Sequence, residues 1–191
     1  MKVYTVYHGT QYGSSAKKLL DMGKAAIEFH PNPARKIPGN LGYGFYTFLH
    51  DGEMAEAFAS KFGDKPIVFE LSVVLPPEHT LSFDISEEDR QDYQKWLQLP
   101  NVRREVERQK RKYRNASRQK SLDGALVEAF CQMLKDTRSA DVYAVRSTTT
   151  TAVGIDIPGS AIPNGVEVLI KDASIIIDEH FRVYHSSDSA R

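Results

Sequence analysis

The chain predicts an α+β fold, and the order of its periodicities is the reason. Strand-like and helical stretches share the first third, helical spacing fills the middle from about residue 76 to about 140, and strand-like alternation returns after it. At 191 residues the chain can bury one core and is short for two, so a single domain over 1–191 is expected, with 76–140 as a helical insertion.

Each element has a local signal. Residues 3–8 alternate β-branched and aromatic side chains and read as a half-buried strand. Ser14–Met22 carries Ala16, Leu19 and Leu20 at helical spacing. Residues 30–40 hold Pro31, Pro33, Pro38 and Gly39, too many breakers for a regular element, and predict a surface loop beside whatever His8 faces. A helix over 52–62 follows from Met54, Ala55, Phe58, Ala59 and Phe62 on one face, with Asp51 as N-cap or first-turn acid. Residues 67–75 alternate long enough for a central strand that contains Glu70 and ends at Pro76-Pro77.

Glu87, Glu88, Asp89 and Asp92 start the next helical stretch, and Ser121 can cap another whose Leu122, Ala125, Leu126, Ala129, Phe130 and Met133 form the expected core face. Beyond it, 141–157 are rich in Val, Thr and Ile, and the run Thr148 to Thr151 favours a strand. Residues 166–170 alternate, with Glu167, Leu169 and Lys171 on one face and Val166, Val168 and Ile170 on the other. Residues 174–184 read as a hairpin around Asp178-Glu179.

Composition bounds function without naming it. With 41% hydrophobic and 26% charged residues the chain resembles ordinary globular domains rather than disordered ones. The formal net charge is zero, which leaves a nucleic-acid partner open because a local basic stripe matters more than the sum. Such a stripe exists in Arg103, Arg104, Arg108, Lys110, Arg111, Lys112, Arg114, Arg118 and Lys120, with Tyr113 able to stack on a base. It is equally a solvated helix face, or a surface for an acidic antitoxin-like partner. The single Cys131 excludes an internal disulfide and points to a reducing compartment, where it packs rather than reacts. The N-terminal segment lacks a signal-peptide pattern and no stretch reaches the roughly 20 apolar residues of a membrane helix, so a cytoplasmic protein with no membrane partner is expected. Asp178, His180 and His185 fit no zinc spacing, and no metal is expected.

Two motifs carry the chemistry. Tyr7-His8-Gly9-Thr10 ends the first strand, and Gly42-Tyr43-Gly44-Phe45-Tyr46-Thr47 follows a loop-rich segment. A strand-borne His-Gly-Thr and a Gly-x-Gly-Phe-Tyr turn can clamp a flat, amide-bearing ring between backbone and an aromatic face, and NAD⁺ carries such a ring. Read singly, His8 can be a satisfied strand-end histidine, Gly42 and Gly44 turn glycines, and Tyr46 a sheet aromatic.

These motifs, together with the Ala-rich helix through Ala55 and Ala59 and with Gly165-Val166-Glu167-Val168, resemble the His-Tyr-Glu branch of the ADP-ribosyltransferases, the group related to diphtheria toxin and poly(ADP-ribose) polymerases. The resemblance covers the beginning and end of the chain and implies a split antiparallel sheet core. It also implies that His8, Tyr46 and Glu167 are catalytic, and that His8, Gly9, Thr10, Gly44 and Tyr46 hold NAD⁺ as co-substrate. Gly9 backbone would pair with the carboxamide, His8 with a ribose hydroxyl assisted by Thr10, and Tyr46 would stack on nicotinamide. Glu167 would accept from the ribose 2′-hydroxyl and stabilise the cation formed as the glycosidic bond breaks. Glu70 and Glu179 are alternative acids. The loop 157–165 sits where the superfamily's acceptor-recognising loop would sit. Arg146-Ser147-Thr148 partly resembles the arginine-modifying branch, but that branch requires a second acid where Gly165 stands.

The implied activity is mono-ADP-ribosyl transfer to a macromolecule, RNA above all but also DNA or protein, in a toxin or phage-defence setting. Contact with the acceptor would run through Arg103, Arg104, Arg108, Arg111 and Arg114. An NAD glycohydrolase using water as acceptor is one alternative. A catalytically silent nucleotide- or RNA-binding module is another.

Overall fold

A computed structural model describes residues 2–29, 37–112, 121–150 and 164–185. Among these residues five α-helices and a seven-stranded mixed sheet form an α+β architecture. In chain order the elements are β1 (Val3–Gln11), α1 (Ser14–Met22), β2 (Phe45–Leu49), α2 (Gly52–Ser60), β3 (Pro66–Val74), β4 (Thr80–Ser82), α3 (Glu87–Leu97), α4 (Pro100–Lys112), α5 (Ser121–Arg138), β5 (Ala144–Thr149), β6 (Gly165–Ile170) and β7 (Arg182–Val183). The strands lie in the order β4-β5-β6-β2-β1-β3-β7.

Among the described strands, only β4 and β5 pair in parallel. A parallel neighbour needs a long crossover, and α3, α4 and α5 supply it. The helical middle is therefore tied into the sheet by an edge strand of its own, which the all-antiparallel expectation did not include.

Alternation along the strands divides the core between two faces. On one face Val6, Phe45, Phe69, Leu71, Val168 and Ile170 pack with Ala16 and Leu19 of α1. On the other, Phe48 and Val68 meet Met54 and Ala55 of α2, while Val145 and Leu169 meet Leu126, Phe130 and Leu134 of α5 and Trp96 of α3. β6 lies between β5 and β2 and is covered on both sides, so Glu167 and Lys171 are buried although the sequence pattern assigns them to a polar-looking face.

The expected Asp51 cap is present, and Ser86, not singled out in the sequence, caps the next helix. Asp51 accepts the Met54 N–H at 2.8 Å at the start of α2, and Ser86 accepts the Asp89 N–H at 3.1 Å at the start of α3. Two other local expectations change. The buried line of α5 runs through Gly124, Leu126, Val127, Phe130, Cys131 and Leu134, while Leu122, Ala125, Ala129 and Met133 are half-buried, because the helix must turn its smallest position toward the 39–42 turn. Residues 174–184 form no hairpin: Ile176 bridges Val73, and β7 pairs with Phe69 and Glu70, so both ends run along β3 as one interrupted edge strand. Asp178, expected in the turn, instead accepts the Ser72 N–H of β3 at 2.5 Å.

Candidate functional site

The ladder between β1 and β2 is short. It joins Val6 to Leu49 and Tyr7 to Phe48 and goes no further, whereas β1 pairs with β3 along its whole length. Parity tells where the backbone of Gly9 points. Thr5 carbonyl accepts from His50 on the β2 side and Tyr12 N–H donates to Lys65 on the β3 side, so the N–H and C=O of Gly9 turn toward β2, past the end of that ladder. A small pocket opens there, lined by His8, Gly9, Tyr46, Thr47, Phe48, Phe58 and Glu167, with about 30 Å³ of room.

Gly9 itself is required by packing. A Cβ at this position would lie 1.8 Å from the Ala55 carbonyl oxygen, so only glycine lets α2 cross β1 so closely.

His8 comes to the pocket from the opposite face. Its ring stacks on Phe45 with centroids 4.1 Å apart, and Nδ1–H donates to the Tyr46 carbonyl at 2.7 Å. That bond assigns the neutral tautomer with its lone pair on Nε2. Burial pushes the imidazole pKa down to about 4, so the ring stays neutral near pH 7.

Tyr46 and Glu167 share the other face. Tyr46 hydroxyl donates to Gly42 carbonyl at 2.9 Å and accepts the Leu41 N–H at 3.0 Å, which pins the turn before β2. Burial holds the phenol far above its ordinary pKa, with Glu167 and Glu128 pushing the same way. Glu167 is 7% exposed. Its Oε1 accepts from Thr149 Oγ1 at 3.0 Å and its Oε2 from Asn40 Nδ2 at 2.5 Å.

The turn has a second anchor. Glu128 of α5 accepts the Tyr43 N–H at 2.6 Å and pairs with Lys171 Nζ at 2.5 Å, while Lys171 also donates to Tyr43 carbonyl at 3.1 Å. Gly44, at φ +154°, passes so close to β6 that a Cβ would meet Ile170 carbonyl oxygen at 2.3 Å.

The structure thus gathers His8, Gly9, Tyr46 and Glu167 around one pocket and leaves Thr10 and Gly44 out of its lining. Thr10 follows His8 to the other face by alternation and sits opposite Ile67 on β3. Gly44 serves the packing of β2 on β6. Of the alternative acids, Glu70 lies on β3 opposite Tyr7 and raises that phenol's pKa together with burial. Glu179 is exposed and pairs with Lys24 at 2.7 Å. Neither lines the pocket.

Arg146 forms a buried bidentate pair with Asp84, with Nε–Oδ1 at 2.9 Å and Nη2–Oδ2 at 2.6 Å, which makes it a strut between β5 and the β4–α3 turn. Cys131 is buried and its thiol is pushed up to about 12 by desolvation. On α4, Arg103, Arg104, Arg108, Lys110 and Arg111 are exposed. Arg108 pairs with Glu105 at 2.6 Å and Lys110 with Glu107 at 2.7 Å. Arg114, Arg118 and Lys120, the residues 30–36, and most of the 157–165 loop lie outside the described residues.

Sequence reasoning missed Asn40, Thr149, Glu128, Lys171 and Phe58. Asn40 falls at the end of a breaker-rich loop, and Lys171 shares a mixed strand face with Glu167 and Leu169. Phe58 was assigned to a helix core face without a link to the pocket. Only tertiary pairing identifies their partners. No protein-family model, curated protein or solved structure matches the chain.

Proposed function

We propose that this chain is a mono-ADP-ribosyltransferase of the His-Tyr-Glu type that cleaves NAD⁺ and transfers ADP-ribose to a macromolecule. The observation that carries this reading is a buried carboxylate, Glu167, sharing one pocket with Tyr46 and with the backbone of Gly9 beyond the end of a strand ladder.

The chemistry follows from those groups. An N–H and a C=O on one glycine can bind both ends of a carboxamide. Neutral His8 offers Nε2 as an acceptor for a ribose hydroxyl. Tyr46 supplies an aromatic face whose hydroxyl is already engaged. Departure of nicotinamide builds positive charge on the anomeric carbon, which the Glu167 carboxylate lowers electrostatically in a water-poor site. A pyridinium ring is larger than this small pocket, so the reading requires the pocket to widen on binding. The toxin or defence setting, an antitoxin partner and a cytoplasmic site of action belong to the same proposal and rest on the motif resemblance and the small size of the chain.

A direct test incubates the purified protein and Glu167→Gln with labelled NAD⁺ and separate pools of protein, DNA and RNA. The expected result is nicotinamide release with label on one pool, lowered roughly 10²–10³-fold in the variant, the usual loss for one preorganised electrostatic contact. Near-full activity of Glu167→Gln would remove that assignment. Free labelled ADP-ribose with no labelled pool would make the protein a glycohydrolase. The surplus of arginine on α4 supports the non-enzymatic alternative, which predicts steeply salt-dependent nucleic-acid binding and no nicotinamide release.

A further inference from the structure

We infer that Asn40 and Thr149 are positioning residues for Glu167, an inference that rests on the transferase reading. The two come from different parts of the fold. Asn40 lies in the turn before β2, and Thr149 ends β5, opposite Gly165 in the ladder and diagonal to Glu167. They meet the two oxygens of one carboxylate, Oε2 and Oε1 respectively. A carboxylate only accepts, so Asn40 must present its NH₂ end and Thr149 its O–H. Both donors are neutral. They set the plane of the carboxylate without cancelling the negative charge that glycosidic cleavage draws on.

Asn40 is held firmly enough to do this. Gly39 N–H donates to Gly42 carbonyl at 3.1 Å, Tyr46 hydroxyl grips Leu41 and Gly42, and Glu128 grips Tyr43. The side-chain amide therefore projects from a turn fastened on both sides to β2 and α5. Glu167 is almost fully buried, so an oxygen released from either donor would lose a hydrogen bond that solvent is poorly placed to replace. Small misplacement of a reacting group lowers turnover far more than it lowers binding.

The test measures nicotinamide release from NAD⁺ by wild type, Asn40→Ala, Asn40→Asp, Thr149→Val and Thr149→Ser, with a thermal melt of each. Asn40→Ala and Thr149→Val should lower kcat roughly 10–100-fold with KM for NAD⁺ changed less than about twofold. Asn40→Asp nearly keeps the side-chain shape but sets a second carboxylate against Glu167, and should lose at least as much. Thr149→Ser keeps the hydroxyl and should recover most of the loss. If Asn40→Ala does not fold, Asn40→Asp and the Thr149 pair decide the matter. An active wild type with Asn40→Asp and Thr149→Val within twofold of it overturns the positioning role and leaves the transferase reading intact. A loss in Thr149→Val that follows its melting temperature and is not rescued by serine also overturns it. A wild type that releases no nicotinamide defeats the transferase reading and this inference together.

Discussion

His8 shows how a single side chain couples stability to the pocket. Half-buried against Phe45 and tied to Tyr46 carbonyl, it resists protonation down to about pH 4, whereas an unfolded histidine protonates near 6.5. Below about pH 6.5 the unfolded chain takes up a proton that the folded chain does not. Stability from this group is therefore fully present above pH 6.5, falls as pH drops toward 4, and levels off below it. The loss is on the order of 3 kcal/mol. Urea unfolding at pH 7 and pH 4.5 should show that His8→Gln is less sensitive to acid than wild type. Equal sensitivity in the two proteins would mean that the folded ring protonates as readily as the unfolded one.

Elements are joined here by buried charge as well as by apolar packing. Lys171, just after β6, is 8% exposed, and the carboxylate that matches it comes from the middle of α5. Removing one partner leaves the other charge in a poor solvent, while removing both replaces an ion pair by apolar packing. Glu128→Gln should destabilise by roughly 2–3 kcal/mol, less than a fully enclosed pair because Glu128 is partly exposed. Glu128→Leu combined with Lys171→Met should recover part of that loss in a double-mutant cycle. The same variants should loosen the 39–44 turn, since Tyr43 is held at both its N–H and its C=O by this pair. No recovery in the double variant would show that the contacts to Tyr43 outweigh the charge pairing.

At the scale of the whole molecule, no residue of the basic helix α4 lines the pocket. The pocket is lined from β1, β2, β6 and α2, while the arginine-rich face of α4 is turned to solvent. Val102 is buried beneath α4 and Arg103 and Arg104 are exposed, so the helix is docked with its basic side outward. If that face receives the acceptor, Arg103→Glu with Arg104→Glu should leave nicotinamide release within about twofold. The same change should cut labelling of nucleic acid at least tenfold and flatten its salt dependence. Parallel loss of both activities would place α4 in folding or donor binding instead.

Where a feature depends on a few neighbouring residues, it could be read from the chain. Ser14–Met22 emerges from apolar spacing, the α2 cap from Asp51, and the His-Gly and Gly-Phe-Tyr motifs from their own residue types. The pairing of 174–184 could not be read, because Asp178 had a choice between a local turn and a backbone N–H on β3 about a hundred residues earlier in the chain. Asn40 and Thr149 were equally hidden, being ordinary polar residues until Glu167 is placed between them.

Sequence by itself determined the α+β class, the places of α1 and α2, and four of the residues that line the pocket, His8, Gly9, Tyr46 and Glu167, since periodicity, capping and backbone preference act over one or two turns of chain. Only the tertiary structure decided that β4 joins the sheet in parallel, that β1 and β2 part after Tyr7 and Phe48, and that Glu167 is buried between two neutral donors. Those outcomes depend on which distant backbone and side-chain groups satisfy one another once water is excluded, and no short stretch of chain contains that information.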